Sequence, residues 1–295
     1  MTLSIGLSAY NISAAELVRL AIAGDEAGFE SLWLGEHVVL PVDYASDHPT
    51  SGSSGHQHHS GPIVDPSTTL VDPLVALSAC AAATSRIRLA TGVFILPLRH
   101  PLLTARMTLT LQDAAGGRFL LGVGSGWLRE EFDALDVPFE GRAARMDESI
   151  SILRRAWNGE QFSHDGPCFS FATVQATAKP VDVPLILGGN SERALRRAAA
   201  LGDGWFSSGT PTLDDARRLR DRVLTLRAEL DDSQAAFPVY VRVATADREV
   251  LARYEAEGFH HVLLWADQVW PRDGDHDHKR RALVSAADAL GVRPS

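Results

Sequence analysis

Apolar residues along this chain gather into short runs. Between the runs lie longer stretches whose apolar positions recur at helical spacing. "LSIGLS" (3–8) is the first run. In "SAAELVRLAIAGDEAGF", which follows, Ser13 stands as an N-cap with Glu16 three residues on, a capping-box pattern, and Leu17, Leu20, Ala21 and Ala27 share one face. Gly28 ends that helix, and "SLWLGEH" (31–37) reads as the second strand. Further strands are predicted at "IRLATGVFIL" (87–96), "RFLLGVGS" (118–125), "VPLILGG" (183–189), "DGWFSS" (203–208), "PVYVRVAT" (238–245) and "HHVLLWA" (260–266). Helices are predicted between and after them, over about 72–84, 101–115, 142–158, 191–202, 212–231, 247–257 and 278–290. Pro101 suits a first helical turn, and Gly291 closes the last helix.

Two stretches break the alternation. Residues 41–71 carry Pro, Ser, Gly, Asp and His with no period, and read as a long loop of the kind that forms lids. "FSHDGPCFSFATVQATAKPV" (162–181) reads as a small β excursion. The strands are continuous apolar runs, as strands buried on both faces are. Eight strand–helix pairs favour an α/β fold of the (β/α)8 TIM-barrel type. It would have a long loop insertion after strand 2 and a small β excursion before strand 5. A doubly wound open sheet is the other arrangement with this element order. No composition shift divides the chain, so residues 1–295 are expected to form a single domain.

Composition narrows the function. The net charge of −9 opposes a nucleic-acid backbone, and the arginine pairs Arg196-Arg197 and Arg217-Arg218 read as solvated helix faces. No run reaches the ~18–20 apolar residues of a membrane span, and the first residues lack the pattern of a secretory signal. The cytoplasm is therefore the expected compartment. Cys80 and Cys168 stand too far apart to form a CxxC site, and Cys80 lies in an apolar run as a small core residue.

In a barrel the chemistry sits at the C-terminal strand ends. Here those ends offer Glu36 and His37; Gly92 and Val93; Gly124, Ser125, Gly126 and Trp127; and Gly188, Gly189 and Asn190. There is no GxSxG elbow and no HxH pair, so neither nucleophilic acyl transfer nor a metal-dependent hydrolase has its residues. His56, His58 and His59 lie in a Ser/Gly-rich loop without the fixed geometry a metal requires, and "DGDHDHK" (273–279) reads as a polar lead-in to the last helix. No metal is expected. The glycines suggest a mouth where a planar ligand meets backbone closely. The helix start near Ser191 would suit a phosphate. "LGVGSGWLREEF" (121–132) is spaced GxGxG, not GxGxxG, and falls at the fourth strand, so it is not a dinucleotide turn.

Three segments together, "SLWLGEH", "RLATGVFILPLRHPLLTARMTLTLQDAAGGRFLLGVGSGWLREEFDALDVPFEGRAARMDE" and "PLILGGNSERALRRAAALGDGW", resemble the luciferase-like monooxygenase superfamily. The resemblance is strongest to its F420-dependent oxidoreductases of actinobacterial type. It implies a flavin or deazaflavin at the barrel mouth, a non-prolyl cis peptide at Gly92-Val93 behind the ring, and phosphate contacts from Gly188, Gly189, Ser191 and Glu192. It also implies backbone contacts from Ser125 and Gly126, cofactor contacts from Glu36 and His37, and a proton donor in His37. The sugar-phosphate dehydrogenase branch keeps a carboxylate where this chain has Trp127, so Trp127 is expected to wall an apolar substrate pocket instead. The resemblance supports hydride transfer between coenzyme F420 and a small organic substrate. One alternative is an FMN-dependent two-component monooxygenase fed by a partner reductase; another is a non-catalytic cofactor or ligand carrier. A homodimer is compatible with it.

Overall fold

The computed structural model describes residues 3–48, 65, 67–230 and 236–293. Eight parallel strand positions close into a barrel. In chain order the strands are β1 (Ser4–Ala9), β2 (Ser31–Leu34), β3 (Arg88–Thr91), β4 (Phe94–Ile95), β5 (Phe119–Gly124), the hairpin β6 (Phe162–Asp165) and β7 (Ser170–Val174), then β8 (Leu185–Gly188), β9 (Gly204–Phe206), β10 (Val239–Arg242) and β11 (His261–Trp265). β3 and β4 are one barrel position interrupted at Gly92 and Val93. The ring runs β3-β2-β1-β11-β10-β9-β8-β5 and closes where Leu89 and Ala90 of β3 pair with Phe119 and Leu120 of β5.

The helices are α1 (Ala14–Ala27), α2 (Pro73–Ala83), α3 (Pro101–Ala114), α4 (Arg129–Ala134), α5 (Arg142–Trp157), α6 (Glu192–Leu201), α7 (Leu213–Leu230), α8 (Arg248–Ala256) and α9 (His276–Leu290). All but α4 form the outer ring. Trp33, Ala90, Leu120, Ile186, Phe206, Tyr240 and Leu263 fill the inside of the barrel, one from each strand position except β1. A larger apolar layer lies between strands and helices and includes Leu17, Leu20 and Cys80. Barrel closure buries both faces of each strand, which is why the strand runs show no polar alternation.

Several sequence expectations change in detail. The second strand stops at Leu34, because Gly35 to His37 turn into the mouth. The single run 87–96 is divided into β3 and β4 at Gly92 and Val93, whose peptide is cis. The last helix starts at His276, two residues earlier than its apolar period shows, because Asp275 caps it by accepting from His278 N. Ser13 does cap α1 through Glu16 N, but the capping box stays half-made: the Glu16 carboxylate turns to Arg19, Lys279 and Trp270. Helix α4 lies in the charged stretch after Trp127 and, with six residues, is too short to show a period of its own. The β excursion is the β6–β7 hairpin, tied to α5 by Glu148, which accepts from Cys168 N and Phe169 N and meets His164 Nε2 at 2.8 Å. No described helix is long and apolar enough to cross a membrane.

Candidate active site

The C-terminal strand ends open into a cavity of about 730 Å³, within the usual range for small-molecule and cofactor sites. Its wall at the third strand position is the cis Gly92-Val93 bulge. The glycines beside it have a definite steric role. A Cβ on Gly124 would lie 2.7 Å from Val93 Cγ2, and one on Gly188 would lie 2.9 Å from Val93 Cγ1. Gly124 on the adjoining strand and Gly188 on the strand beyond it thus leave a slot for the Val93 side chain, and both also line the cavity.

His37 is buried, just beyond β2. Its Nδ1 lies 3.0 Å from Glu131 Oε2. Glu131 is fully buried on α4, and its other oxygen accepts from Val38 N at 2.5 Å and Val39 N at 3.4 Å. A carboxylate can only accept, so this pair assigns the proton to Nδ1 and leaves Nε2 as the second functional nitrogen. Tyr10 and Trp127 meet the His37 ring edge-on at centroid distances of 6.2 and 5.8 Å, and His48 meets Trp127 at 4.9 Å. His48 belongs to the described start of the long loop. That segment is held by Glu130, which accepts from Ala45 N, Ser46 N and Ser46 Oγ at 2.7, 3.2 and 2.7 Å. The other end is tied where Thr69 N donates to Asn11 Oδ1 at 2.8 Å. His56, His58 and His59 lie outside the described residues.

Glu36 lines the cavity, but its carboxylate is turned outward. It accepts from Ile95 N and from Arg99 Nη2, each at 2.7 Å, and so supports β4. Burial pushes its carboxyl up, and Arg99 and the Ile95 N–H oppose that shift.

Also lining the cavity, Ser191 caps α6, its Oγ accepting from Ala194 N at 3.2 Å. The first N–H groups of a helix have no partner within it, so those of Glu192 and Arg193 are left for solvent or a ligand. Asn190 joins the loops after β8 and β9 through paired bonds with Ser208, at 2.9 and 2.8 Å. Arg142 reaches the cavity from α5. Its Nε donates to Gly126 O at 3.0 Å, and its guanidinium lies 3.7 Å from the centre of the Phe139 ring. Arg197 also lines the cavity but is paired with Asp147 at 2.5 Å.

Of the expected site residues, Glu36, His37, Gly92, Val93, Ser125, Gly126, Trp127, Gly188, Gly189 and Ser191 meet around this cavity. Glu192 does not line it; its carboxylate pairs with Arg222 and Arg196 on the outer side of α6. Glu131, Tyr10, Arg142 and Arg242 were missed. For Arg242 a signal was present: a charge inside "PVYVRVAT", an otherwise apolar strand, demands a partner or a task. Among the described residues no cluster of three His, Cys, Asp or Glu side chains could hold a metal.

The model of the luciferase-like monooxygenase family matches residues 2–291. The chain belongs to that family. Among relatives of this luciferase-like barrel is an uncharacterized protein of Mycobacterium tuberculosis, 32% identical over 84% of this chain and 83% of its own. An F420-dependent glucose-6-phosphate dehydrogenase of Nakamurella multipartita is 30% identical over 82% of this chain and 67% of its own. Solved structures share the fold. An F420-dependent secondary alcohol dehydrogenase in complex with an F420-acetone adduct superposes with a TM-score of 0.74 at 14% identity, over 98% of this chain and 99% of that one. The FMN-bound oxygenating constituent of 3,6-diketocamphane monooxygenase, from a Pseudomonas putida plasmid, gives 0.61 at 19% identity, over 82% and 67%.

Proposed function

We propose that this luciferase-like barrel is an oxidoreductase that uses coenzyme F420 on a small organic substrate. The observation that carries this reading is a juxtaposition at one cavity. A cis bulge fixed by Val93 and a histidine held in one tautomer by Glu131 stand at one part of it. A helix start and Arg142 line the same cavity. That donor set fits a planar ring carrying a phosphate: an apolar bulge for the ring, and N–H groups with a cation for the anion.

Coenzyme F420, when bound, supplies the hydride chemistry. The chain's own part is to orient and to move a proton. His37 Nε2 accepts the proton of a substrate hydroxyl in the oxidising direction, or returns one to a carbonyl oxygen from the imidazolium in the reducing direction. Glu131 keeps Nδ1 protonated throughout. Trp127, Tyr10 and His48 exclude water from that nitrogen. No carboxylate takes the place that Trp127 occupies: the adjacent acids are engaged, Glu130 with Ala45 and Ser46, and Glu131 with His37 and Val38. This supports a substrate other than a sugar phosphate.

Fluorescence titration with F420 and with FMN tests the reading, with F420 binding the tighter of the two. The FMN monooxygenase reading draws on the FMN-bound structure that shares the fold. Substrate-dependent oxygen uptake with reduced FMN would establish it instead, and that reading alone calls for a partner reductase.

A further inference from the structure

The side chain of Arg242, at the C-terminal end of β10, is a buried cation with no carboxylate partner among the described residues. Its Nε donates to Ser8 Oγ at 2.9 Å, Nη2 to Gly92 O at 2.9 Å and Nη1 to Gly209 O at 3.4 Å. Phe206 and Trp265 each lie 4.5 Å from the guanidinium carbon. All of these partners are neutral. Among the described residues no carboxylate pairs with Arg242, and burial alone lowers its pKa to about 9. The residue nevertheless lines the cavity. A guanidinium has five N–H donors. Three are used by the chain, which leaves one on each terminal nitrogen. A buried charge held only by neutral groups is costly, and an anion arriving beside it would be stabilised.

Arg242 also binds the carbonyl oxygen of Gly92, the first residue of the cis bulge. The cation is therefore attached to the wall on which, under the function proposed above, the cofactor ring rests. Hydride brings two electrons and one proton to such a ring, so the ring ends one unit more negative. The other proton, from the substrate oxygen, goes to His37. We propose that Arg242 is the cation that stabilises the negative charge the bound ring gains on reduction, so that the site holds the reduced cofactor more tightly than the oxidised one. The inference rests on the F420 reading and applies equally to a flavin ring, because both rings gain the same charge.

The test measures dissociation constants of wild-type protein, R242K and R242Q for F420 and for chemically reduced F420, with FMN and reduced FMN in parallel. Wild type is expected to bind the reduced form at least tenfold more tightly. This equals a midpoint potential about 30 mV above that of the free two-electron couple. R242Q is expected to lose that preference by weakening binding of the reduced form only, and R242K to keep most of it. The wild-type comparison requires no variant to fold. Equal affinity of wild type for both redox forms overturns the inference, as does an equal loss for both forms in R242Q. Binding of neither ring by wild type overturns the proposed function, and this inference with it. Binding of FMN with the same preference overturns only the choice of F420.

Discussion

Glu131 and His37, 94 positions apart in the chain, share one buried hydrogen bond at the Nδ1 nitrogen of the histidine, to which it assigns the ring proton. The geometry makes E131Q an unusually specific change. Because Val38 N donates to Oε1, the glutamine carbonyl oxygen must take that place, and its NH2 then faces His37 Nδ1. The amide donates where the carboxylate accepted, so the neutral ring carries its proton on Nε2. The 15N chemical shifts of His37 should show this inversion. Turnover should fall by about 10² or more, while cofactor affinity changes by less than about threefold. Unchanged shifts in E131Q would refute the assigned tautomer. E131A leaves the buried Val38 N–H without a partner and should cost about 1–3 kcal/mol of stability in denaturant unfolding.

Glu130, one residue earlier, acts on the loop rather than on the histidine. The Ala45 N–H, with help from Ser46, holds its carboxyl at about 2. A folded-state value below the ordinary one stabilises fully above the ordinary carboxylate range and is lost as pH falls toward the folded value. The tether should therefore be insensitive to pH between 5 and 8 and loosen only below about pH 4. Amide exchange at Ala45 and Ser46 reads it directly. E130Q should speed that exchange by about tenfold at neutral pH, a modest effect because the group is half-exposed.

The barrel was legible because each strand is a short apolar run buried on both faces, and each outer helix repeats its apolar positions. Helix α4 has too few residues to show a period, and its Glu130 and Glu131 act through partners 84 to 94 positions away. Glu36 was placed with the cofactor through the resemblance carried by "SLWLGEH". Only the fold shows its carboxylate turned to Arg99 and Ile95. Trp127, singled out from the strand end, lines the cavity, but its neighbour His48 comes from the aperiodic loop, where spacing says nothing about contact. Glycine at 124 and 188 signalled close approach; what approaches is Val93.

That approach gives a stability prediction independent of any ligand. Neither Gly124 nor Gly188 has a positive φ, so alanine meets only a steric obstacle at each. G124A and G188A should each cost about 1–3 kcal/mol, as overpacking does. V93A removes both methyl groups they would strike. In denaturant unfolding, the double variants V93A/G124A and V93A/G188A should be more stable than the sum of the single losses by at least about 0.5 kcal/mol. Strict additivity would mean that the slot does not hold Val93.

Arg142 and Arg197 both line the cavity, but of the two only Arg142 has no carboxylate ion pair among the described residues. Arg197 is neutralised by Asp147. If Arg142 holds the cofactor phosphate, its loss should matter only to ligands that carry one. A charge-assisted bond to phosphate is worth about 1.5–3 kcal/mol, so R142M should weaken FMN or F420 binding by about tenfold or more. Riboflavin, and the deazaflavin without its phosphate, should bind R142M and wild type alike. Added salt should erode the wild-type advantage, since part of it is screened attraction. R142K restores the charge without the fork geometry and should recover part of the affinity. R142M also loses packing against Phe139, but that loss would act on phosphorylated and unphosphorylated rings equally. An equal loss for riboflavin and FMN would thus assign Arg142 a structural role and place the phosphate elsewhere.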